Sequence, residues 1–357
     1  MNLDRFHAIT ERYASLRLGI VGDFCLDRYL EIDPARTESS IETGLPVHNV
    51  VNVRAQPGGA GTILNNLCAL QIGALYPIGF VGDDGEGYEL SRALEQRPGV
   101  RLNFFLRTAQ RRTFTYCKPL VLAPGKPPVE LNRLDLKNWT PSPSLVQGLI
   151  ISRLLDAAKA AEALIVLDQV EIPETGVVTQ RVLTFLGEHL RSNPEMLVLA
   201  DSRRSLRGFP PVVFKMNAAE LAAMTGARKE LDFNDIKRAA IELADANHRA
   251  VFVTLAERGM VGAGPGGQVE HVPALPVRGE IDIVGAGDAV SANLTAAIAA
   301  GASLREALEL AAAAASVVIH KLGTTGTATV LELQDTMTRE GLLGDVTLGS
   351  GQNNPSP

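Results

Sequence analysis

Asp282-Ile283-Val284-Gly285-Ala286-Gly287-Asp288 leads directly into Ala289-Val290-Ser291-Ala292-Asn293-Leu294. Two glycine turns end in a carboxylate, and a helix starts there. Backbone N–H groups at a helix start are unpaired and point outward, so they can hold an anion. Glycine lets the chain bring those groups close to a ligand. A carboxylate at the same spot can accept the proton of an attacking hydroxyl. An anion cradle beside a general base is what phosphoryl transfer to an alcohol requires. The plainer alternative is turn-and-cap chemistry, with Asp288 only an N-terminal charge complementing the helix dipole.

Outward from this stretch, apolar runs at 16–21, 74–81, 163–167, 196–200, 212–217 and 250–254 read as strands. Helical patterns separate them at 58–70, 87–96, 143–160, 175–192, 218–225 and 233–246, after a first helix at 5–15. This alternation predicts a parallel sheet covered on both faces. Such sheets bind ligands beyond the carboxyl ends of their strands. Asp27, Asp168, Asp201, Asn217 and Thr254 all fall at or just past such ends. A hairpin over 258–274 turns at Gly264-Pro265-Gly266-Gly267. Helix 286–300 stops at Gly301, and Ser303-Leu304-Arg305-Glu306 is a capping box opening helix 304–320. The alanines at 311–315 present a smooth face, suited either to tight helix packing or to a flat ring such as adenine. Lys321-Leu322-Gly323-Thr324-Thr325-Gly326-Thr327 forms a loop that can line the same place. Residues 31–56, with Pro34, Pro46 and alternating Val47, Val50 and Val53, stand outside the pattern as an irregular or extended insert, as do strands across 100–122 and 128–135. With no internal repeat and no linker, one domain with an insert is expected.

Composition narrows the function classes. The 357 residues are 46% hydrophobic, enough for a substantial core, and carry a net charge of −6, which argues against a general nucleic-acid surface. The 3 cysteines, Cys25, Cys68 and Cys117, fit neither a zinc spacing nor a disulfide framework and suggest a reducing cytosol. The N-terminus lacks an apolar signal core, and no apolar run is long enough for a membrane span, so a cytoplasmic protein is expected.

Single residues leave alternatives open. Gly58-Gly59-Ala60-Gly61 precedes a helix without the Lys-Ser/Thr ending of a Walker A loop. It is either a tight turn or a close backbone approach to a small substrate. Asp27 can grip two sugar hydroxyls, or pair with Arg28, or cap a loop. Asn217 and Glu220 suit a capping box, and equally a carboxylate that organises Mg²⁺ through water. Thr254 is a strand-end hydroxyl or a phosphate ligand, and Glu257-Arg258-Gly259 is the turn before the hairpin or part of a nucleotide site. Arg111-Arg112 with Thr113 is either a solvated charge pair or an anion grip, and Lys118 and Arg133 lie in the insert's strands; a substrate that already carries a phosphate would need such cations.

Taken together, the pattern resembles the ribokinase/PfkB family of sugar kinases over about residues 16–335. Asp282-x-x-Gly285-Ala286-Gly287-Asp288 is similar to the family's C-terminal signature. Gly58-Gly59 through Gly79-Phe80-Val81-Gly82-Asp83-Asp84-x-x-Gly87 is similar to its N-terminal one. Asn217-x-x-Glu220 resembles its Asn-x-x-Glu motif, and residues 254–259 its nucleotide-binding strand end. Within the family, Gly22-Asp23-Phe24-Cys25-Leu26-Asp27-Arg28-Tyr29, Ser40-Ile41-Glu42 and Arg133-Leu134-Asp135 resemble the kinase domain of the heptose 7-phosphate kinases of lipopolysaccharide precursor synthesis. There are departures. The asparagine expected after the glycine pair falls late, at Asn65 or Asn66. Asp201-Ser202-Arg203 replaces an Asp-Pro-Lys-like stretch, and Asp168-Gln169 an Asp-Tyr.

The resemblance implies an α/β, three-layer ribokinase-like fold with a mostly parallel central sheet and a small β-sheet lid. A kinase domain over 1–340 would include that lid, at about 28–56 and 100–135, and 341–357 would be a flexible tail. It implies an ATP-dependent carbohydrate kinase using Mg²⁺. Asp288 would be the base and Gly285, Ala286 and Gly287 the anion hole. Asp27, Gly58, Gly59, Asn66 and Asp168 would face the sugar, and Asn217, Glu220, Thr254, Gly259, Gly323 and Thr324 the nucleotide. Glu220 would assist Mg²⁺ through water, and Asp282 would lie near a monovalent cation, K⁺. A homodimer joined through the lid is implied. Two other readings stay open: a kinase for an unphosphorylated furanose or nucleoside, and a non-catalytic sugar or nucleotide sensor.

Overall fold

The computed structural model describes residues 1–227, 231–323 and 325–344. The chain opens with α1 (Leu3–Thr10) and a 3-10 turn, then β1 (Arg17–Gly22), a long hairpin of β2 (Phe24–Ser39) and β3 (Pro46–Gly59), and α2 (Ala60–Ala69). Next come β4 (Ala74–Gly82), α3 (Gly85–Glu95), β5 (Phe105–Thr108), β6 (Phe114–Val121), β7 (Val129–Glu130) and β8 (Leu134–Leu136). The regular part follows as α4 (Ser144–Ala160), β9 (Ala163–Asp168), α5 (Gln180–Ser192), β10 (Leu197–Ser202), β11 (Val213–Asn217), α6 (Ala218–Thr225), α7 (Phe233–Asn247) and β12 (Val251–Thr254). The hairpin of β13 (Met260–Gly264) and β14 (Gln268–Val272) leads to α8 (Ala286–Ala299), α9 (Leu304–Ile319) and α10 (Val330–Arg339).

The main sheet runs β14-β13-β12-β11-β10-β9-β1-β4-β5. From β12 to β5 every pair is parallel; only β13 and β14 are antiparallel. The strands read as continuous apolar runs because both faces are covered. On β9, Ile165 and Leu167 join a core with α1, α2, α8 and α9, while Leu164 and Val166 join a second core with α4, α5 and α7. These are the three layers expected, with a period-2 alternation hidden inside a uniformly apolar segment. None of the described helices is long and apolar enough to cross a membrane.

A second sheet, β3-β2-β6-β7 with β8 on β6, forms the lid. Of the two readings of 31–56, irregular or extended, the structure has the extended one: β2 and β3 pair antiparallel from Phe24↔Gly59 out to Ser39↔Pro46, with register shifts near Ile32. β5 departs from the expected lid boundary, because it pairs parallel with β4 and so belongs to the main sheet. Helix α5 begins at Gln180 rather than 175. Thr179 caps it, accepting from Val182 N–H, and residues 169–177 form a loop stitched to β1 by Asp23. α10 carries its own capping box, Thr329 with Glu332, a signal present in the sequence beyond the last helix read there. The alanine face of α9 is packing surface: Ala311, Ala313 and Ala314 are fully buried, and the helix lies against α8, β13, β14 and α10. Of the tail expected at 341–357, residues 345–357 lie outside the described residues.

Candidate active site

Parallel strands bring their carboxyl ends to one edge of the sheet, and α8 begins at that edge. The turn before α8 is built by short bonds. Asp282 N–H donates to Ile319 O at 2.8 Å, its Oδ1 accepts from Val284 N–H at 3.0 Å, and Ala286 N–H donates to Ile283 O at 3.2 Å. Gly285 sits at φ +84°, and a Cβ there would press on Thr325 Cγ2 at 2.5 Å, so the turn requires glycine. Of the amides expected to hold an anion, at Gly285, Ala286 and Gly287, the turn takes up only that of Ala286; those of Gly285 and Gly287, and of Asp288 beside them, have no acceptor among the described residues.

Asp288 lies half-buried in the first turn of α8. Burial, with the Asp201 carboxylate next, pushes its carboxyl up to about 7, against the pull of Lys215 and Arg203. A base poised there is matched to proton transfer at neutral pH. Asp201, on β10, accepts from Lys215 Nζ at 2.8 Å and from Ser291 Oγ at 3.0 Å, both on Oδ2. Lys215 and Ser291 are not among the site residues that the motifs imply. The signal was available: Val213-Phe214-Lys215-Met216 puts a charge inside a strand buried on both faces, which demands a partner.

The lid supplies Asp27. It is buried, Lys118 Nζ approaches it to 3.6 Å, and burial raises its pKa despite that cation. Arg28 does not pair with it; Arg28 reaches Glu89 at 3.3 Å instead. A Cβ on Gly58 would stand 2.7 Å from Asp27 Oδ2, so the glycine makes room for this carboxylate. Gly59, at φ +57°, turns the chain into α2. Asp27, Gly58 and Lys118 meet because β3 and β6 flank β2.

Other expected residues are placed differently. Asp168 is fully buried and committed: Oδ2 accepts from Arg204 Nη2 at 2.7 Å and from Ser202 Oγ at 2.8 Å, and only Oδ1 is left without a donor. Asn66 is also fully buried; its Nδ2 donates to Thr62 O inside α2, so it has no face open to a ligand in this conformation. Asp23 is buried, accepts from Val177 and Gln169 N–H, and is pushed up to about 6 by burial and then by Asp168. Asn217 and Glu220 form a full capping box at α6, each accepting from the other's backbone N–H. The Glu220 carboxyl is raised chiefly by burial. That cap uses one carboxylate oxygen, Oε2, so Glu220 fits a hydrated cation as an outer contact rather than as one of a ligand cluster. Among the described residues no group of three or more His, Cys, Asp or Glu could hold a metal ion. Thr254 ends β12 half-buried, its hydroxyl 3.4 Å from Met216 O. Gly259, at φ +84°, packs so closely on Val272 O that a Cβ would collide with it. Gly323 has φ +70° in open space. Thr324 lies outside the described residues, but its neighbour Thr325 accepts from Gln56 Nε2 of β3 at 3.2 Å, joining this loop to the lid.

A carboxyl raised by burial, a helix start with free amides and the buried Asp27 carboxylate of the second sheet are groups that phosphoryl transfer to an alcohol can use. Comparison with known proteins agrees. Residues 198–330 match the model of the pfkB family carbohydrate kinases. The chain is 32% identical to Bifunctional protein HldE of Gluconacetobacter diazotrophicus over 325 residues, 90% of this chain and 63% of the relative. It is 30% identical to Bifunctional protein HldE of Hyphomonas neptunium over 346 residues, 95% of this chain and 67% of that one. Arabidopsis thaliana ribokinase, solved with ribose and ATP, superposes with a TM-score of 0.67 at 20% identity, covering 90% of this chain and 98% of its own. Escherichia coli phosphofructokinase-2, solved with potassium, gives 0.68 at 20% identity, covering 91% and 99%. The chain belongs to the pfkB family of carbohydrate kinases and has the ribokinase-like fold. It spans only 63% of the length of the Gluconacetobacter relative.

Proposed function

We propose that this chain catalyses ATP-dependent phosphorylation of a hydroxyl on a sugar or sugar phosphate. The observation that carries this reading is Asp288. Its carboxyl is held near neutrality in the first turn of a helix whose opening amides lack acceptors. Asp288 takes the proton of the attacking hydroxyl, and the Gly287 and Asp288 N–H groups hold the transferring phosphoryl. The sugar lies between Asp27, Gly58, Gly59 and Asp288. ATP lies over residues 254–259 and the loop after α9, in keeping with the ATP bound to the ribokinase neighbour. Mg²⁺ travels with ATP and is met through water by Glu220. A K⁺ ion beside Asp282 is in keeping with the potassium complex of the phosphofructokinase-2 neighbour. The lid excludes water from the transfer.

The acceptor is a heptose 7-phosphate-like sugar. Arg203 supports an anionic acceptor: it is exposed beside the sheet's carboxyl edge, feels Asp288 and Tyr116, and its guanidinium has no partner among the described residues. A panel of sugars and sugar phosphates with ATP, read by ADP release, tests the reading. Turnover of phosphorylated heptoses or hexoses is expected. Turnover of unphosphorylated furanoses or nucleosides alone would refute the sugar-phosphate assignment, and nucleotide binding with no turnover at all would refute catalysis. The lid also presents Ile41, Leu45, Val51 and Val53 to solvent, which supports a homodimer through this sheet, checked by light scattering.

A further inference from the structure

The reaction so far leaves one buried charge without a task. Lys215 lies in the middle of β11, 7% exposed, among apolar neighbours. An ammonium in such a place is costly unless paired. One of its donors goes to Asp201 Oδ2 at 2.8 Å. An ammonium has three N–H donors, and the other two have no acceptor among the described residues. Burial alone would depress this lysine. Asp201, then Asp288 and Glu220, more than offset that and hold its pKa above the ordinary range, so it stays charged.

Its position is set from two sides. Asp201 is itself fixed by Ser291 Oγ of α8, which lies 3.0 Å from Asp201 Oδ2 and 3.2 Å from Gly287 O. Lys215 Nζ would lie 3.1 Å from a Cβ built on Gly287, so the ammonium rests directly against the first turn of α8. A cation at a helix N-terminus opposes the helix dipole, so helix stability does not explain it. Two carboxylates next to it, Asp201 and Asp288, still leave its spare donors unused. A group bearing several anionic oxygens at the Gly287 and Asp288 amides would use them.

We propose that Lys215 is a further catalytic residue, donating directly to the phosphoryl group as it passes between nucleotide and acceptor. This rests on the kinase reading above. In the step, the acceptor oxygen forms a bond to the γ-phosphorus and the bond from that phosphorus to the β-phosphate oxygen breaks. Its electron pair leaves with the diphosphate, and the hydroxyl proton goes to Asp288. Lys215 remains protonated and opposes the negative charge on the equatorial oxygens. With no side chain, Gly287 leaves the ammonium room against the turn, since a Cβ there would stand 3.1 Å from it.

The test uses the whole chain. In Lys215→Met, kcat should fall by about 100-fold or more, while KM for the sugar changes by less than about 3-fold. Because this variant strands Asp201, the double variant Lys215→Met/Asp201→Asn is measured beside it. It should regain the melting temperature of the wild type but not its kcat. ADP with aluminium fluoride should raise the melting temperature of the wild type beyond ADP alone, and this increment should vanish in both variants. Near-normal kcat in the double variant, or a retained fluoride increment, would show that the pair is only structural and overturn the proposal. A wild type that turns over no sugar and gains nothing from aluminium fluoride would overturn the kinase reading with it. An active wild type beside an equally active Lys215→Met would remove Lys215 alone.

Discussion

Replacing Asp288 by Asn separates the cost of the proposed catalytic carboxylate from its use. In the folded chain burial and Asp201 raise this carboxyl from 3.8 to about 7. A carboxyl raised on folding binds its proton more tightly in the native state. Its ionisation therefore destabilises the fold, with the loss starting near the unfolded value and complete above the folded one. Asparagine has the same shape and never ionises. The stability gap between variant and wild type should then widen with pH, by ~1–2 kcal/mol between about pH 5.5 and about pH 8, the lower figure allowing for solvent at a half-open group. Urea unfolding of both proteins at the two pH values measures the gap, and other titrating groups cancel in the difference. The same variant should lose at least about 100-fold in kcat. In the wild type, kcat should fall as pH drops through about 7, because the base becomes protonated. A gap that does not change with pH, or near-normal turnover by the variant, would refute the assignment of Asp288 as a buried base.

Gly58→Ala would put a methyl 2.7 Å from Asp27 Oδ2 and displace that carboxylate. KM for the sugar should rise at least about 10-fold with KM for ATP unchanged, and steady-state kinetics with each substrate varied would show it. Gly259→Ala meets both a φ of +84° and the Val272 carbonyl, so it should cost ~2 kcal/mol or more in urea unfolding. Arg204→Met would leave Asp168 buried without its cation, at a cost of ~3 kcal/mol or more. Much of that loss should return in Arg204→Met/Asp168→Asn, and a single variant as stable as the wild type would show that Asp168 does not need the pair.

The layer architecture could be read from sequence because each strand and helix announces itself over a short window. Apolar runs such as 163–167 and capped helices such as 304–320 depend on neighbours a few residues away. The lid could not be read as well. Whether residues 31–56 are irregular or a sheet depends on the pairing of Asp27 with Gln56 and Tyr29 with Arg54, contacts between segments that only the fold aligns. β5 shows the same limit: the four residues Phe105–Thr108 look alike as lid or as sheet edge, and the choice is made by β4 alongside. Helix α5 was read five residues too early because its true start depends on Thr179, while the loop before it is held by Asp23 more than 140 residues away.

The site divides along the same line, and the division explains which residues the sequence misplaced. The proposed transfer side is written locally: Asp282, Gly285, Gly287 and Asp288 occupy one turn, and its geometry follows from hydrogen bonds within it and one to Ile319 O. Asp168 looked equally open from its place at a strand end, but a strand end also faces the loop of the next strand. Here Ser202, the last residue of β10, and Arg204 just past it take its carboxylate inward. Asp201, next to Ser202 on β10, is turned instead toward Lys215 and Ser291, and so to Asp288. Position at a strand end gives an acid access to the site, and the cation the fold sets beside it decides its use. Arg204 makes Asp168 a structural anchor, and Lys215 joins Asp201 to the α8 turn that carries Asp288. A charged residue inside a doubly buried strand is thus as strong a sequence signal as a glycine turn, since it must find a partner and the partner lies at the site.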